Sequence, residues 1–460
     1  MKVLLISQPD RYRKLPDFPP LGIGYLGAVA HKAGRKVLLI DGGLHSIAQI
    51  VAEAEKFEPD IIGITCWTID RSTVWKLCGL LKKVLPATFL VIGGPHASIY
   101  PEHIFKKTHA SAVVLGEGDE TFIELLNALS NGMDLKNVPG MALRNKDNSP
   151  LFTPQRPLLE DISSIPFPYY DGFKNFDFFN YGGFPALPRP TASIISSRGC
   201  IFNCSYCASV RYWGRKWRFR SAENILAEIK WLIGKYAINS LFFYDDNFVV
   251  NKKRAKAICQ GIIDNKWDLD WACCAHVKMI NSELLSIMKE SGCVTIDFGV
   301  ESGNDKILAN INKKQTKKDI VDTFFLVHEA GISPQAYLMV GCPGEDESTI
   351  DETIELMDTI KPRSSIGATI LWLLPGTKVY EEAVEKGIIN DSYWLDSDDV
   401  PYNTMEHPIK KLKKLRRRLL KGMARKRGGI KARITCCLKE IYYEYPFLSI
   451  FRSFFRRRFR

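Results

Sequence analysis

Twice along this chain short apolar runs alternate with stretches of helical spacing, and that rhythm restricts the fold to parallel sheets covered by helices. In the first 135 residues the runs fall at 3–6, 37–40, 61–65, 89–92 and 112–115, with helical patterns at 22–32, 47–57, 72–84 and 121–129. From residue 190 they recur at 193–196, 240–244, 270–275, 295–300, 335–340 and 368–373, with helical patterns such as 222–233 and 317–329. The first series predicts a doubly wound parallel α/β sheet over 1–135. The second, with six βα units over 191–385, predicts an open, partial (β/α)6 barrel, narrower in arc than the eight-unit form. In both architectures ligands are expected at the carboxyl ends of the strands.

The segments around these domains read differently. Residues 136–190 have weak periodicity and many prolines, among them Pro139, Pro166, Pro168, Pro185 and Pro188, and predict a fixed, extended connector. Residues 386–460 begin with an acidic, aromatic stretch from Asp391 to Pro401, containing Tyr393 and Trp394, which reads as a lid over the barrel mouth. A basic helix with leucines at helical spacing follows from Ile409, and the chain closes on phenylalanines interleaved with arginines up to Arg460. Residues 410–460 hold 19 Lys and Arg against 2 Glu, a net +17; with +12 for the whole chain, the rest carries −5. The basic character is thus a property of the tail. Its aromatic anchors suit an anionic membrane surface better than a nucleic acid, which would use the cations but not the phenylalanines. No apolar run reaches the roughly 18 residues of a membrane span. The N-terminus turns polar at Ser7 and reads as a first strand, not a signal peptide. Twelve cysteines in 460 residues are too sparse for a secreted disulfide scaffold, which points to a reducing cytoplasm, with the tail placing the protein peripherally at the inner face of the membrane.

Three of those cysteines sit together in Ser197-Arg198-Gly199-Cys200-Ile201-Phe202-Asn203-Cys204-Ser205-Tyr206-Cys207, straight after a strand-like run. Three thiolates at C-x3-C-x2-C spacing on one loop suit a [4Fe-4S] cluster, and because the cube takes four ligands, one iron stays open to bind something else. The alternatives are a zinc knuckle or three unconnected core cysteines. Zinc sites usually pair two C-x2-C or Cys/His arms, and no second arm follows here. Cys273 and Cys274 occupy adjacent strand positions that face opposite ways and read as core residues, as does Cys342.

With Tyr206 just before its last cysteine, this run resembles the signature of the radical S-adenosylmethionine (SAM) enzymes. Two further stretches agree with it, Phe298-Gly299-Val300-Glu301-Ser302-Gly303 and Met339-Val340-Gly341-Cys342-Pro343-Gly344-Glu345, and Asp245-Asp246-Asn247 ends another strand with carboxylates able to accept hydrogen bonds from a ligand. The resemblance implies that Cys200, Cys204 and Cys207 ligate the cluster and that SAM chelates the open iron. Tyr206, Asp246, Glu301, Ser302 and Gly341 then line the SAM site, while Glu345 reads as a helix cap or first-turn acid. An electron from an external flavodoxin- or ferredoxin-type donor would cleave SAM to a 5′-deoxyadenosyl radical.

The first domain, with Pro19-Pro20-Leu21-Gly22, Gly93-Gly94-Pro95-His96 and Gly116-Glu117-Gly118-Asp119, looks like the Rossmann-like cobalamin-binding domain that precedes many such enzymes. Gly22, Gly93, Gly94, Gly116, Glu117 and Gly118 are then the cofactor-binding positions, since glycine lets backbone approach a flat, bulky ligand. The loop after the first strand, Gln8-Pro9-Asp10-Arg11-Tyr12-Arg13, lacks the Asp-x-His-x-x-Gly that supplies an axial imidazole, so cobalamin is expected without a histidine ligand, with Trp67 or Arg71 beneath the cobalt. His96 is not expected to be catalytic.

Together these features imply a cobalamin-dependent radical SAM methyltransferase acting on an unactivated carbon of a lipophilic small molecule. An oxidative cyclase or rearrangement enzyme for a tetrapyrrole or lipid shares the layout. Methylthiolation of tRNA, the reading from another class, requires three further cysteines in the first domain, where only Cys66 and Cys78 occur, and a β-rich C-terminal module that the pattern lacks.

Overall fold

The computed structural model describes residues 1–10, 15–363 and 365–427. The chain divides into two compact units, 1–182 with 390–399, and 183–389 with 400 onward.

The first unit is built on strands β1 (Lys2–Ile6), β2 (Lys36–Ile40), β3 (Ile61–Thr65), β4 (Phe89–Gly93) and β5 (Ala112–Val114), extended by β6 (Met141–Arg144) and β7 (Pro150–Phe152). Their order is β2-β1-β3-β4-β5-β6-β7, parallel through β5 and antiparallel beyond it. Helices cover the sheet, so its central strands are apolar without alternation: Val3, Leu4, Leu5 and Ile6 are all buried. The core joins Leu4, Ile6, Ile62, Ile64 and Ile92 to Val74, Leu77 and Leu81 of the helix Arg71–Val84. The order 2-1-3-4-5 reverses between β1 and β3, the switch point where such sheets bind ligands.

Two sequence boundaries shift. Residues 141–152, assigned to the connector, form β6 and β7, whose four- and three-residue lengths and partial burial leave almost no periodic signal. The stretch read as a lid belongs to the first unit: Trp394 is completely buried, and Tyr100 donates its hydroxyl to Asp391 Oδ1 at 2.5 Å.

The second unit contains β8 (Thr191–Ile194), β9 (Ser197–Arg198), β10 (Arg218–Phe219), β11 (Ser240–Phe243), β12 (Asp270–Ala275), β13 (Cys293–Glu301), β14 (Ser333–Val340) and β15 (Ser365–Ile370). Six of these make the expected parallel sheet, ordered β15-β14-β13-β12-β11-β8, while β9 and β10 form a small antiparallel pair. Helices seal one face of the curved sheet: Phe298 of β13 packs on Phe324 of the helix Lys317–Glu329. That leaves alternate residues, such as Asp297 and Gly299, on the concave side.

The basic helix spans Ile409–Arg427. Its Leu412, Leu415, Leu419, Leu420 and Met423 are buried within the second unit, and Lys411, Arg418 and Lys426 pair with Glu347, Asp351 and Asp358. Its apolar face is therefore part of the barrel's packing and unavailable for membrane insertion. The phenylalanine- and arginine-rich end of the tail lies outside the described residues. Among the described residues no helix is long and apolar enough to cross a membrane.

Candidate active site

The three cysteines follow β8 and β9 on a loop whose entry turns sharply at Gly199. Its φ of +91° lies in the left-handed region, and an added Cβ would come within 2.7 Å of the Lys216 carbonyl. Cys200, Cys204 and Cys207 are partly buried free thiols. Burial raises the pKa of each; that of Cys207 reaches about 11, with Asp246, Cys204 and Cys200 adding to the effect. A metal centre would remove that penalty by binding the thiolate directly. Among the described residues no set of three or more His, Cys, Asp or Glu is gathered to hold a metal ion.

The loop is tied down on several sides. Ser205 N donates to Ile311 O (3.0 Å), Val379 N to Ser205 O (3.1 Å) and Asn312 Nδ2 to Asn203 O (2.5 Å). The Phe202 ring stacks on His276 at 3.9 Å. Beside Cys204 lies a buried polar group. The Tyr206 hydroxyl donates to Glu301 Oε1 (2.9 Å), and Lys313 Nζ donates to Glu301 Oε1 and to Tyr206 Oη, both at 3.1 Å. Burial opposes the Lys313 ammonium, but Glu301, Cys204 and Cys207 hold its pKa above the ordinary lysine value. Glu301 reaches this position through backbone strain: β13 slips register against β14 between Gly299 and Glu301, and Glu301 adopts φ +64°. Gly299 makes room, since a Cβ there would sit 2.5 Å from both Glu301 Oε1 and Lys313 Nζ.

Other strand-end residues fall into two groups. Asp246 is exposed beyond β11, near Cys200 and Cys207, and accepts from the Ser209 hydroxyl. Asn247 is buried with neither amide atom hydrogen-bonded. Gly341, at φ +93°, follows β14. Ser302 is instead turned inward, 3.4 Å from the Thr353 hydroxyl, and supports the fold. Glu345 does not cap a helix; Asp346 does, while the Glu345 carboxyl accepts from Gly341 N and burial lifts its pKa to about 8.

In the first unit the glycine turns gather at the carboxyl ends of the strands. Gly94 (φ +94°) has no space for a side chain, a Cβ lying 3.0 Å from Thr65 Cγ2, and Gly93 O accepts from Cys66 N at 2.8 Å. Gly116 N donates to Ser98 Oγ, and Glu117 Oε2 accepts from Leu159 N. Gly118 precedes the helix Asp119–Asn131. Gly22 is different: it is exposed in the first turn of the helix Leu21–Lys32, and a Cβ would meet nothing within 4 Å. Neither packing nor dihedral requires glycine there, although it weakens a helix by about 1 kcal/mol relative to alanine.

Two family models match the chain: the radical SAM superfamily over residues 194–357 and the B12-binding domain over 15–126. An uncharacterised methyltransferase of Pyrococcus horikoshii is 31% identical over 97% of this chain and 96% of its own. The chain belongs to the radical SAM enzymes carrying a B12-binding domain. It is also 26% identical to the cytidylyl-2-hydroxyethylphosphonate methyltransferase of Streptomyces wedmorensis, over 85% of this chain and 83% of that one. In fold it resembles the radical SAM methyltransferase TsrM of Kitasatospora setae, solved with cobalamin and its [4Fe-4S] cluster (TM-score 0.69, 18% identity, covering 84% and 75%).

Membership of this radical SAM family brings a [4Fe-4S] cluster, SAM and cobalamin as cofactors. The residues present fit them. Three thiols on one loop suit the cluster, the unpartnered Asn247 amide and the Lys313 ammonium suit a polar amino acid group, and the open space above Gly22 suits a large planar ligand. One expectation needs correction. Arg71 is fully buried, donating to the carbonyls of Thr68 (2.8 Å), Trp394 (2.9 Å), Asp399 (3.2 Å) and Ser397, so it braces the first unit and does not face a ligand. Trp67, 48% exposed beyond β3, keeps its candidacy. Lys313 escaped the sequence reading because it lies outside every motif.

Proposed function

We propose that this enzyme uses SAM both to generate a 5′-deoxyadenosyl radical and as a methyl source, methylating an unactivated carbon of a lipophilic small molecule. The observation that carries the reading is the near full-length likeness to an uncharacterised methyltransferase. Cys200, Cys204 and Cys207 hold the cluster in this reading. When bound, the cluster supplies one electron for SAM cleavage, and cobalamin supplies methyl transfer. The chain's own residues prepare that chemistry. Lys313 neutralises a carboxylate, and Glu301, aligned by Tyr206, accepts hydrogen bonds from hydroxyl or ammonium groups. Asp246 offers a second acceptor near the cysteines. Gly341 would let a ligand approach the backbone, while Gly22, Gly93, Gly94, Gly116, Glu117 and Gly118 would hold cobalamin on the first unit, with the exposed Trp67 available to contact it.

The cyclase reading is favoured by a 25% identity to the anaerobic magnesium-protoporphyrin IX monomethyl ester cyclase of Rubrivivax gelatinosus over 74% of this chain. Anaerobic incubation with methyl-trideuterated SAM, a chemical reductant and a lipid extract separates the two. Methylation yields 5′-deoxyadenosine, S-adenosylhomocysteine and a trideuterated product; deoxyadenosine with no label in any product sinks the proposal.

The physiological partners in this reading are a flavodoxin- or ferredoxin-type electron donor and an anionic membrane surface at the cytoplasmic side. Membrane contact here is electrostatic along the helix Ile409–Arg427, whose Lys410, Lys413, Lys414, Arg417, Lys421 and Arg425 are exposed. Residues beyond 427 supply the aromatic anchors.

A further inference from the structure

We propose that Asp245 and Arg254 are positioning residues for the iron–sulfur cluster: they fix the backbone entering the cysteine loop, so that the loop meets the cluster in a preset conformation. The inference rests on the reading that Cys200, Cys204 and Cys207 hold that cluster.

Strand β8 leaves the sheet after Ile194, whose carbonyl receives the last ladder bond from Tyr244 N at 2.8 Å. From there side chains replace the missing strand. Asp245 Oδ1 accepts from Ser196 N (2.7 Å) and Ser197 N (2.9 Å), and its other oxygen accepts from the Ser196 hydroxyl. On the carbonyl side, Ser196 O accepts from Arg254 Nη2 (2.7 Å) and Arg220 N (3.0 Å), and Ile195 O from Arg220 Nη1 (3.2 Å). Arg254 Nε reaches Arg220 O at 2.8 Å, and Arg220 pairs with Glu228. Asp245, Arg220, Glu228 and Arg254 are all at least nine-tenths buried.

Such a network is a poor device for stability alone. Burial raises the Asp245 carboxyl above its ordinary pKa despite Arg254 beside it, and lowers Arg254 to about 10. Replacing buried ion pairs with apolar groups is often neutral or stabilising. Apolar groups cannot satisfy the N–H and C=O of irregular buried backbone, and that is what these side chains do. Asp245 Oδ1 serves two backbone N–H groups and Oδ2 the Ser196 hydroxyl, which separates it from its exposed neighbour Asp246 as a ligand contact.

The test uses the full chain, reconstituted anaerobically with iron and sulfide, as wild type, Asp245→Asn, Arg254→Lys and Ser196→Ala. Iron content, the rate of iron loss to a chelator, the paramagnetic spectrum of the reduced cluster and thermal unfolding before reconstitution are measured. Asp245→Asn should lose iron about tenfold faster than wild type, as outer residues around metal ligands typically do, and broaden the cluster spectrum; Arg254→Lys should move both in the same direction. Ser196→Ala removes one hydroxyl donor without changing charge, and should also hasten iron loss should Asp245→Asn fail to fold. Variants that hold iron as wild type does, with an unchanged spectrum and only a lower unfolding temperature, overturn the proposal and leave a purely structural network. A wild-type chain that takes up no iron overturns the cluster reading as well.

Discussion

At the scale of single residues, the feature that most shapes the candidate site is a lysine ammonium held between a carboxylate, a phenol and two thiols. Lys313 and Glu301 are both largely buried, so removing one leaves an uncompensated charge. Lys313→Met should lower stability by roughly 3–5 kcal/mol. Combining it with Glu301→Gln should recover part of that loss, a coupling measured by denaturant unfolding of the four proteins in the cycle. The sequence pointed to Tyr206 and Glu301 but not to Lys313 or to the contact that joins the three. It exists because Gly299 lacks a side chain and because Glu301 takes a left-handed turn at a register slip, both consequences of tertiary pairing between β13 and β14. His96 is a second case. The sequence assigned it no catalytic role; in the structure it is buried with neither ring nitrogen hydrogen-bonded, and burial, with His103 and Arg71 nearby, lowers its pKa to about 3. Its folded pKa lies below the ordinary 6.5, so the neutral form is favoured by folding. The chain should lose stability as pH falls from 6.5 toward 3, by up to about 1.4 kcal/mol per pH unit. His96→Gln should flatten that slope in urea titrations run across the range.

Among elements, the helix Ile409–Arg427 shows what periodicity can and cannot reveal. Leucines at helical spacing correctly marked an amphipathic helix, but the pattern is silent about what covers the apolar face. In the structure that partner is the helix Glu347–Ile360, through buried leucines and the pairs to Glu347, Asp351 and Asp358. Leu415→Ala and Leu419→Ala should therefore each cost about 2–5 kcal/mol in thermal or denaturant unfolding, while leaving binding to anionic liposomes near wild type. Reversing charge at Lys413, Lys414 and Arg417 should do the opposite, weakening liposome binding with little effect on unfolding. The strands were legible for a related reason. Covered on both faces, β1, β3 and β4 are continuous apolar runs, whereas β6 and β7, short and half-buried, hid among the prolines of the connector.

For the molecule as a whole, two parallel α/β architectures and a three-cysteine loop were readable because each rests on local spacing. The ligand-facing roles of individual strand-end residues were not, since Ser302 turns to Thr353 and Arg71 to the carbonyls around Trp394 only once the chain has folded. Family membership supplies the cofactors; in the proposed reading Cys200, Cys204, Cys207, Lys313 and Glu301 are where two of them would meet. The most direct test is the paramagnetic spectrum of the anaerobically reconstituted, reduced protein, recorded before and after SAM is added. A [4Fe-4S] signal whose g-values shift with SAM, and which disappears in Cys200→Ala, is the predicted result; a cluster signal indifferent to SAM, or no cluster at all, would contradict the account.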